Sequence, residues 1–110
     1  VTRVPWLVRD GEVLASVELA DGRSARRKGL LGRDDFDGVL RLKARSIHTV
    51  GMRFAVDAAF CDTDGTVRRV LTVRPWRVTM PHRRATIVFE ARAGTFREWE
   101  LRAGDILEVR

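Results

Sequence analysis

Apolar residues recur at every second position along most of this chain, and that period constrains the fold more than any other feature. From Gly11 to Ala20, Val13, Ala15, Val17 and Leu19 fall on one side, while Glu12, Ser16 and Glu18 fall on the other. Successive strand side chains point to opposite faces, so this segment reads as a half-buried strand. Val4 to Arg9 supplies a hairpin partner, turning at Asp10-Gly11, a dipeptide suited to left-handed turn conformations. Ala55 to Cys61 and Thr66 to Val73 are apolar runs joined by Asp62-Thr63-Asp64-Gly65, the strongest hairpin signal in the chain. Arg84 to Arg92 alternates again, with Ala85, Ile87, Phe89 and Ala91 opposite Thr86, Val88 and Glu90.

Shorter signals complete the frame. Arg23 to Leu31 predicts a helix of about two turns that Gly32 can stop, although Gly29 costs ~1 kcal/mol relative to Ala there. Asp34 to Gly38 is a loop and Val39 to Lys43 a short strand. Pro75, Trp76 and Pro81 bracket a loop, since proline cannot sit in a central strand. Thr95-Phe96-Arg97-Glu98 has capping-box spacing and predicts a single helical turn. Gly104-Asp105 leads into a last strand, Ile106 to Val109. The expected fold is mainly β, a β-sandwich or distorted barrel of roughly seven short strands with one or two short helices, in a single domain over residues 1–110.

Composition excludes several classes. An apolar fraction of 45% argues against intrinsic disorder, and no stretch approaches the ~18 apolar residues of a membrane span. The single Cys61 excludes an internal disulfide and a cysteine-built zinc cage. Val1 to Arg9 lacks the basic start and continuous apolar block of a signal peptide, and both a cytoplasmic chain and one exported after processing fit. The net charge of +6 comes almost wholly from arginine, Lys28 and Lys43 being the only lysines. Arg68-Arg69 and Arg83-Arg84 lie in or beside strands, where neighbours face opposite ways and make no single patch. The run Arg23, Arg26, Arg27 and Lys28 reads first as a solvated helix face.

No phosphate loop, paired-histidine or paired-cysteine metal motif, or Gly-flanked serine nucleophile is present, so neither a metal nor a cofactor is expected. The positive signal is Asp57, which shares one strand face with Ala55, Ala59 and Cys61, opposite Val56, Ala58 and Phe60. A carboxylate among apolar residues must be hydrogen-bonded or paired. Arg53, Arg33 and His48 are the partners that sequence suggests; alternatively Asp57 pins a loop by accepting backbone N–H bonds. His48 could ligate a metal or shuttle protons, or be a satisfied polar residue. Met52 reads as core filler, Cys61 as a small buried hydrophobe, and His82 as exposed. Trp6 and Trp99 are packing residues, and Trp76, held in a loop, is the aromatic best placed to contact a ligand. Glu90 joins either a pocket with Arg33 or a surface ion pair.

The segment Ile47-His48-Thr49-Val50-Gly51-Met52-Arg53-Phe54-Ala55-Val56-Asp57-Ala58-Ala59-Phe60 resembles the His-Ser-Phe-Trp-Met-Lys-Asn-Thr…Pro-Leu-Asp-Ile-Ala-Phe core of the domain of unknown function 192 family. Gly29-Leu30-Leu31-Gly32-Arg33 is similar to its Gly-Leu-Met-Gly-Arg element, and Asp62-Thr63-Asp64-Gly65 to its Asp-x-Asp-Gly hairpin. Pro75-Trp76, Glu90 with Gly94, and Gly104-Asp105 follow in the family's order. The resemblance runs from about Ser16 to Val109. Gly51 stands where an aromatic is common, Leu31 where Met is and Ala55 where Pro is, and Gly51 withdraws the basis for stacking there. The resemblance implies a β-rich sandwich or distorted barrel with small helices, and members that are often secreted or membrane-anchored. It implies no activity.

The expected function is a non-enzymatic binding or accessory module. His48, Met52, Asp57, Trp76 and Glu90 would line a pocket or groove with Arg33 at its edge, taking a small polar or anionic ligand or a protein segment. The alternative is a hydrolase-like enzyme in which Asp57 or Glu90 works with His48 as an acid/base pair, which requires both within hydrogen-bond reach of one substrate position. A third reading, nucleic-acid binding through Arg26 and Arg27, predicts affinity that falls steeply with salt. A monomer is expected.

Overall fold

The period-two segments pair into one mixed sheet. The computed structural model describes residues 4–20 and 38–110; the helix expected at Arg23 to Leu31, with Arg26, Arg27 and Arg33, lies outside them. The strands are β1 (Trp6–Arg9), β2 (Glu12–Leu19), β3 (Val39–Lys43), β4 (Val56–Cys61), β5 (Val67–Val73), β6 (Ile87–Arg92) and β7 (Glu108–Val109), with one helical turn, α1 (Thr95–Glu98), after β6. Their order across the sheet is β5-β4-β6-β3-β2-β1-β7. Only β2 and β3 run parallel; every other neighbour is antiparallel.

The turn chemistry follows from the residues. Asp10 and Gly11 both hold positive φ (51° and 78°), as a tight hairpin requires. In the β4–β5 hairpin, Asp62 Oδ1 accepts N–H bonds from Asp64 and Thr66, and its Oδ2 takes two from the Arg68 guanidinium. Desolvation opposes its ionisation, but those bonds prevail and hold the Asp62 carboxyl below its usual range.

The segment after α1 ties the sheet's two edges together. Val67 N donates to Asp105 O, Gly104 N to Val67 O and Leu107 N to Gly65 O, at 2.7, 2.8 and 2.9 Å. Three residues later the same segment pairs with β1, and Trp6 and Arg110 exchange backbone bonds. Arg9 anchors it by an ion pair to Asp105 at 3.2 Å. The distorted barrel expected from the sequence therefore takes the form of a single sheet whose first and last strands are bridged by one stretch of chain.

Both faces of β4 and β6 are covered. One face packs Leu40, Leu42, Val56, Ala58, Phe60 and Val88 beneath Ile47, Met52 and Ala85. The other packs Leu7, Val17, Val39, Ala59, Cys61 and Phe89 against Phe96, Leu101 and Leu107. The alternation in β2 does not translate into uniform burial: Val17 is buried, but Val13 and Leu19 are 57% and 52% exposed. For Val13 the reason is a register shift: Leu7 pairs with Ala15 but Val8 with Val13, so Leu14 is an extra residue and Val13 falls on the side opposite Val17.

Gly65 has positive φ, and a Cβ there would lie 2.2 Å from Leu107 O. A side chain at this point meets backbone that cannot yield without breaking the edge closure. Gly65→Ala is expected to cost about 3 kcal/mol in urea denaturation, whereas Gly11→Ala, which points into open space, should cost about 1 kcal/mol from backbone strain alone.

Candidate functional site

The buried acids of the sequence do not share a site. Asp57 pairs in register with Ala91 and Thr72, whereas Glu90 pairs with Ala58 and Leu40. Paired residues project to the same side, so the two carboxylates stand on opposite faces of the sheet. Glu90 is fully buried, on the face of Ala58, Val88 and Leu40, which rules out the surface ion pair. Met52 is buried in that same cluster, as core filler. His48 is exposed on the outer layer, bridged antiparallel to Val78, and Trp76 is exposed in the following loop. Among the described residues, Asp57 thus stands apart from Met52 and Glu90, and the two acids cannot both reach one substrate atom.

Asp57 is spent on structure. Its Oδ1 accepts from the Thr72 hydroxyl at 2.7 Å, and its Oδ2 accepts from Gly94 N and Phe96 N at 2.9 and 3.0 Å. Neither Arg53 nor His48 is among its hydrogen-bond partners. The loop-pinning alternative is the one realised. It also corrects the capping box: the residue before α1 is Gly94 at φ 96°, which has no side chain to cap with, and the carboxylate arrives from β4 instead. A strand side chain fixes the start of the helical turn, which in turn seats Phe96, stacked obliquely on Trp99 at 5.4 Å, in the core.

A second pin was not legible in the sequence. Thr49 is fully buried; its hydroxyl donates to Arg74 O at 2.5 Å and accepts from Arg77 N at 2.9 Å. Its backbone completes the clamp, accepting from Trp76 N and donating to Arg77 O. Four bonds from one residue hold the Pro75-Trp76 loop, with Trp76 at φ 61° and 64% exposed. Positive φ is costly for a bulky residue and persists where the surroundings impose it. Just beyond, Val78 and Met80 are 72% and 82% exposed.

Val78 and Met80, with Arg74 and Arg77, wall an open groove of about 360 Å³ against β5. Phe60, Leu71, Val73, Val78 and Met80 supply apolar surface; Arg69, Arg74, Arg77 and His82 supply the polar rim; no carboxylate among the described residues lines it. His82 is half-buried and stacks on Phe60 at 6.4 Å, rather than being exposed as expected. Among the described residues, no carboxylate pairs with Arg69 or Arg74. The gathering escaped sequence reading because Arg69 comes from a strand and Arg74 and Arg77 from the loop that folds back beside it. The available signal was the placement of arginines on both sides of Pro75-Trp76.

No group of three His, Cys, Asp or Glu side chains that could hold a metal ion occurs among the described residues. No helix among them is long and apolar enough to cross a membrane. Cys61 is buried, and burial together with the neighbouring Asp62 charge pushes its thiol up to about 12 from 9.0.

A family profile, DUF192 ("Uncharacterized ACR"), matches residues 6–109. A UPF0127 protein of Pyrococcus abyssi is 32% identical over 98 residues, covering 84% of each chain. A crystal structure from Sinorhizobium meliloti, described as a candidate transcription regulator, superposes with a TM-score of 0.78 at 25% identity, covering 96% of this chain and 91% of that one. A protein of unknown function from Novosphingobium aromaticivorans gives the same TM-score at 17% identity, over 96% and 83% of the two chains, and so shows likeness of fold alone.

Two outcomes follow. Asp57→Ala strands three donors and should lose about 3 kcal/mol in denaturant titration, Asp57→Asn less, and Thr72→Val about 1 kcal/mol. The Cys61 thiol should resist alkylation in the native chain at about pH 8 and react once unfolded. Because its folded value is raised, its stabilising contribution is complete below pH 9.0 and disappears as pH climbs toward about 12.

Proposed function

Since this chain belongs to the DUF192 family, whose name carries no activity, we propose that it is a non-enzymatic binding module working through the arginine-rimmed groove between β5 and residues 74–82. The observation that carries this reading is the combination of three arginines and a histidine over an apolar floor, with no lining carboxylate among the described residues. Uncompensated positive charge draws an anionic partner, and exposed apolar side chains supply contact area once it arrives. The groove is open and walled by Val78 and Met80, which favours a polypeptide segment carrying both acidic and apolar side chains. The Thr49 clamp holds Trp76 at the margin of this surface before any partner arrives, so little ordering entropy is lost on contact.

The geometry gives an acid/base reading nothing comparable. Asp57 is committed to Thr72, Gly94 and Phe96, and Glu90 is buried on the other face.

The test uses the full chain labelled with 5-fluorotryptophan, which gives three resonances from Trp6, Trp76 and Trp99. A blocked peptide of alternating glutamate and valine should move the Trp76 resonance and leave Trp6 unmoved. Raising salt tenfold should weaken binding by roughly fivefold or more, because the rim charges are exposed. Arg74→Glu combined with Arg77→Glu should abolish it. Unchanged affinity in that double variant would overturn the proposal. So would tighter, competing capture of a DNA duplex at the same residues, the outcome suggested by the Sinorhizobium protein's description.

A further inference from the structure

We infer that the partner binds as an added β-strand: an extended acidic segment of another protein pairs with the free edge of β5 and becomes the next strand of the sheet. This rests on the reading of the groove as a binding surface and adds the geometry of the bound segment. β5 is the terminal strand in the sheet order. The segment 104–107 covers it only at Gly65 to Val67. Among the described residues, no backbone group bonds the outer edge from Arg68 to Val73.

The direction of the backbone groups follows from the hydrogen bonds. Asp62 N donates to Thr66 O, so Thr66 faces β4, and Val67 turns its N–H and C=O outward to Asp105 and Gly104. The register then shifts by one residue, with Phe60 opposite Arg69 and Cys61 opposite Val67. Such a bulge reverses the parity, so Arg69, Leu71 and Val73 face β4 while Val70 and Thr72 offer donors and acceptors at the open edge.

Exposed edges invite unwanted pairing and are commonly blunted by charge, proline or a bulge. Here Arg68, Arg69 and the bulge guard the beginning of β5, but Val70-Leu71-Thr72-Val73 is uncharged and uninterrupted. Depressions flank those four residues on both sides. One presents Leu71, Val78 and Met80 with Arg69, Arg74 and Arg77. The other, of about 680 Å³, presents Val70 and Leu101 with Arg97 and Arg102, and two acids, Glu100 and the buried, fully hydrogen-bonded Asp57. A strand laid along the edge sends alternate side chains into the two depressions, the arrangement by which strand addition gains specificity. Five arginines against two carboxylates, of which Asp57 is buried and met by three donors, select an acidic occupant. A second copy of this chain is disfavoured, because β5 against β5 would set the same arginines face to face.

The experiment compares the alternating glutamate–valine peptide with two versions N-methylated at one or the other set of alternate amides, all against the full chain. On binding, the Val70 and Thr72 amides should gain about tenfold or more protection from hydrogen exchange. One N-methylated version should lose affinity by about tenfold and the other stay within about threefold. Val70→Pro, which deletes an outward N–H and no β4 bond, should also weaken binding by about tenfold. If all three peptides bind alike and the two amides stay unprotected, strand addition is overturned while the groove reading stands. If no peptide binds even at low salt, the groove reading itself falls and takes this inference with it. Self-association of the chain through β5 would likewise overturn the choice of a foreign segment.

Discussion

The Asp57 carboxylate is the constraint on which the rest of the described structure depends. It lies almost fully buried on a central strand, and ionised carboxylates are tolerated there only when their lone pairs are met by donors. Three donors meet them: the hydroxyl of Thr72 on the edge strand and the first free amides around α1. The same three bonds therefore fasten β5 to β4 by a side chain as well as by backbone, and set the single helical turn over one core. From α1 the chain runs on through Leu101 to the 104–107 segment that closes the sheet. A helix of one turn has no stability of its own, so its place is decided by tertiary bonds such as these.

That commitment also shapes what the protein can do. An acid saturated by structural donors has little left for chemistry, and the surface left for function is the layer outside the sheet. There a second buried polar residue, Thr49, performs the analogous task on the opposite side, clamping the loop that carries Trp76 beside Arg74 and Arg77. Two internal pins thus hold rigid the two flanks of β5, one bearing Val78 and Met80, the other Arg97 and Arg102. Between the flanks lies a stretch of sheet edge, Val70 to Val73, that neither charge nor the closing segment covers among the described residues.

The sequence disclosed the strands well because their information is local. Period-two alternation, Asp10-Gly11 and Asp64-Gly65 each act over a few residues, and the observed strands follow them to within a few residues at each end. Val13 departed because a bulge at Leu14 reverses the parity of β2, a shift that alternation does not encode. The suspicion attached to Asp57 was sound, since an acid between apolar neighbours demands partners, but their identity was not readable. Thr72, Gly94 and Phe96 are 15, 37 and 39 residues away. The expected grouping with Glu90 failed on parity across two strands, a relation fixed by the β4–β6 register and not by either segment alone. The arginine groove was hidden for a similar reason, its members joining only when the loop after β5 folds back.

The most direct test of this account is native-state hydrogen exchange at the Phe96 amide. If Asp57 holds α1 as described, that amide should exchange only through global unfolding in the intact chain, and Asp57→Ala should release it to exchange on the timescale of local loop opening. Rapid exchange at Phe96 in the intact chain, or protection that survives the loss of the carboxylate, would contradict it.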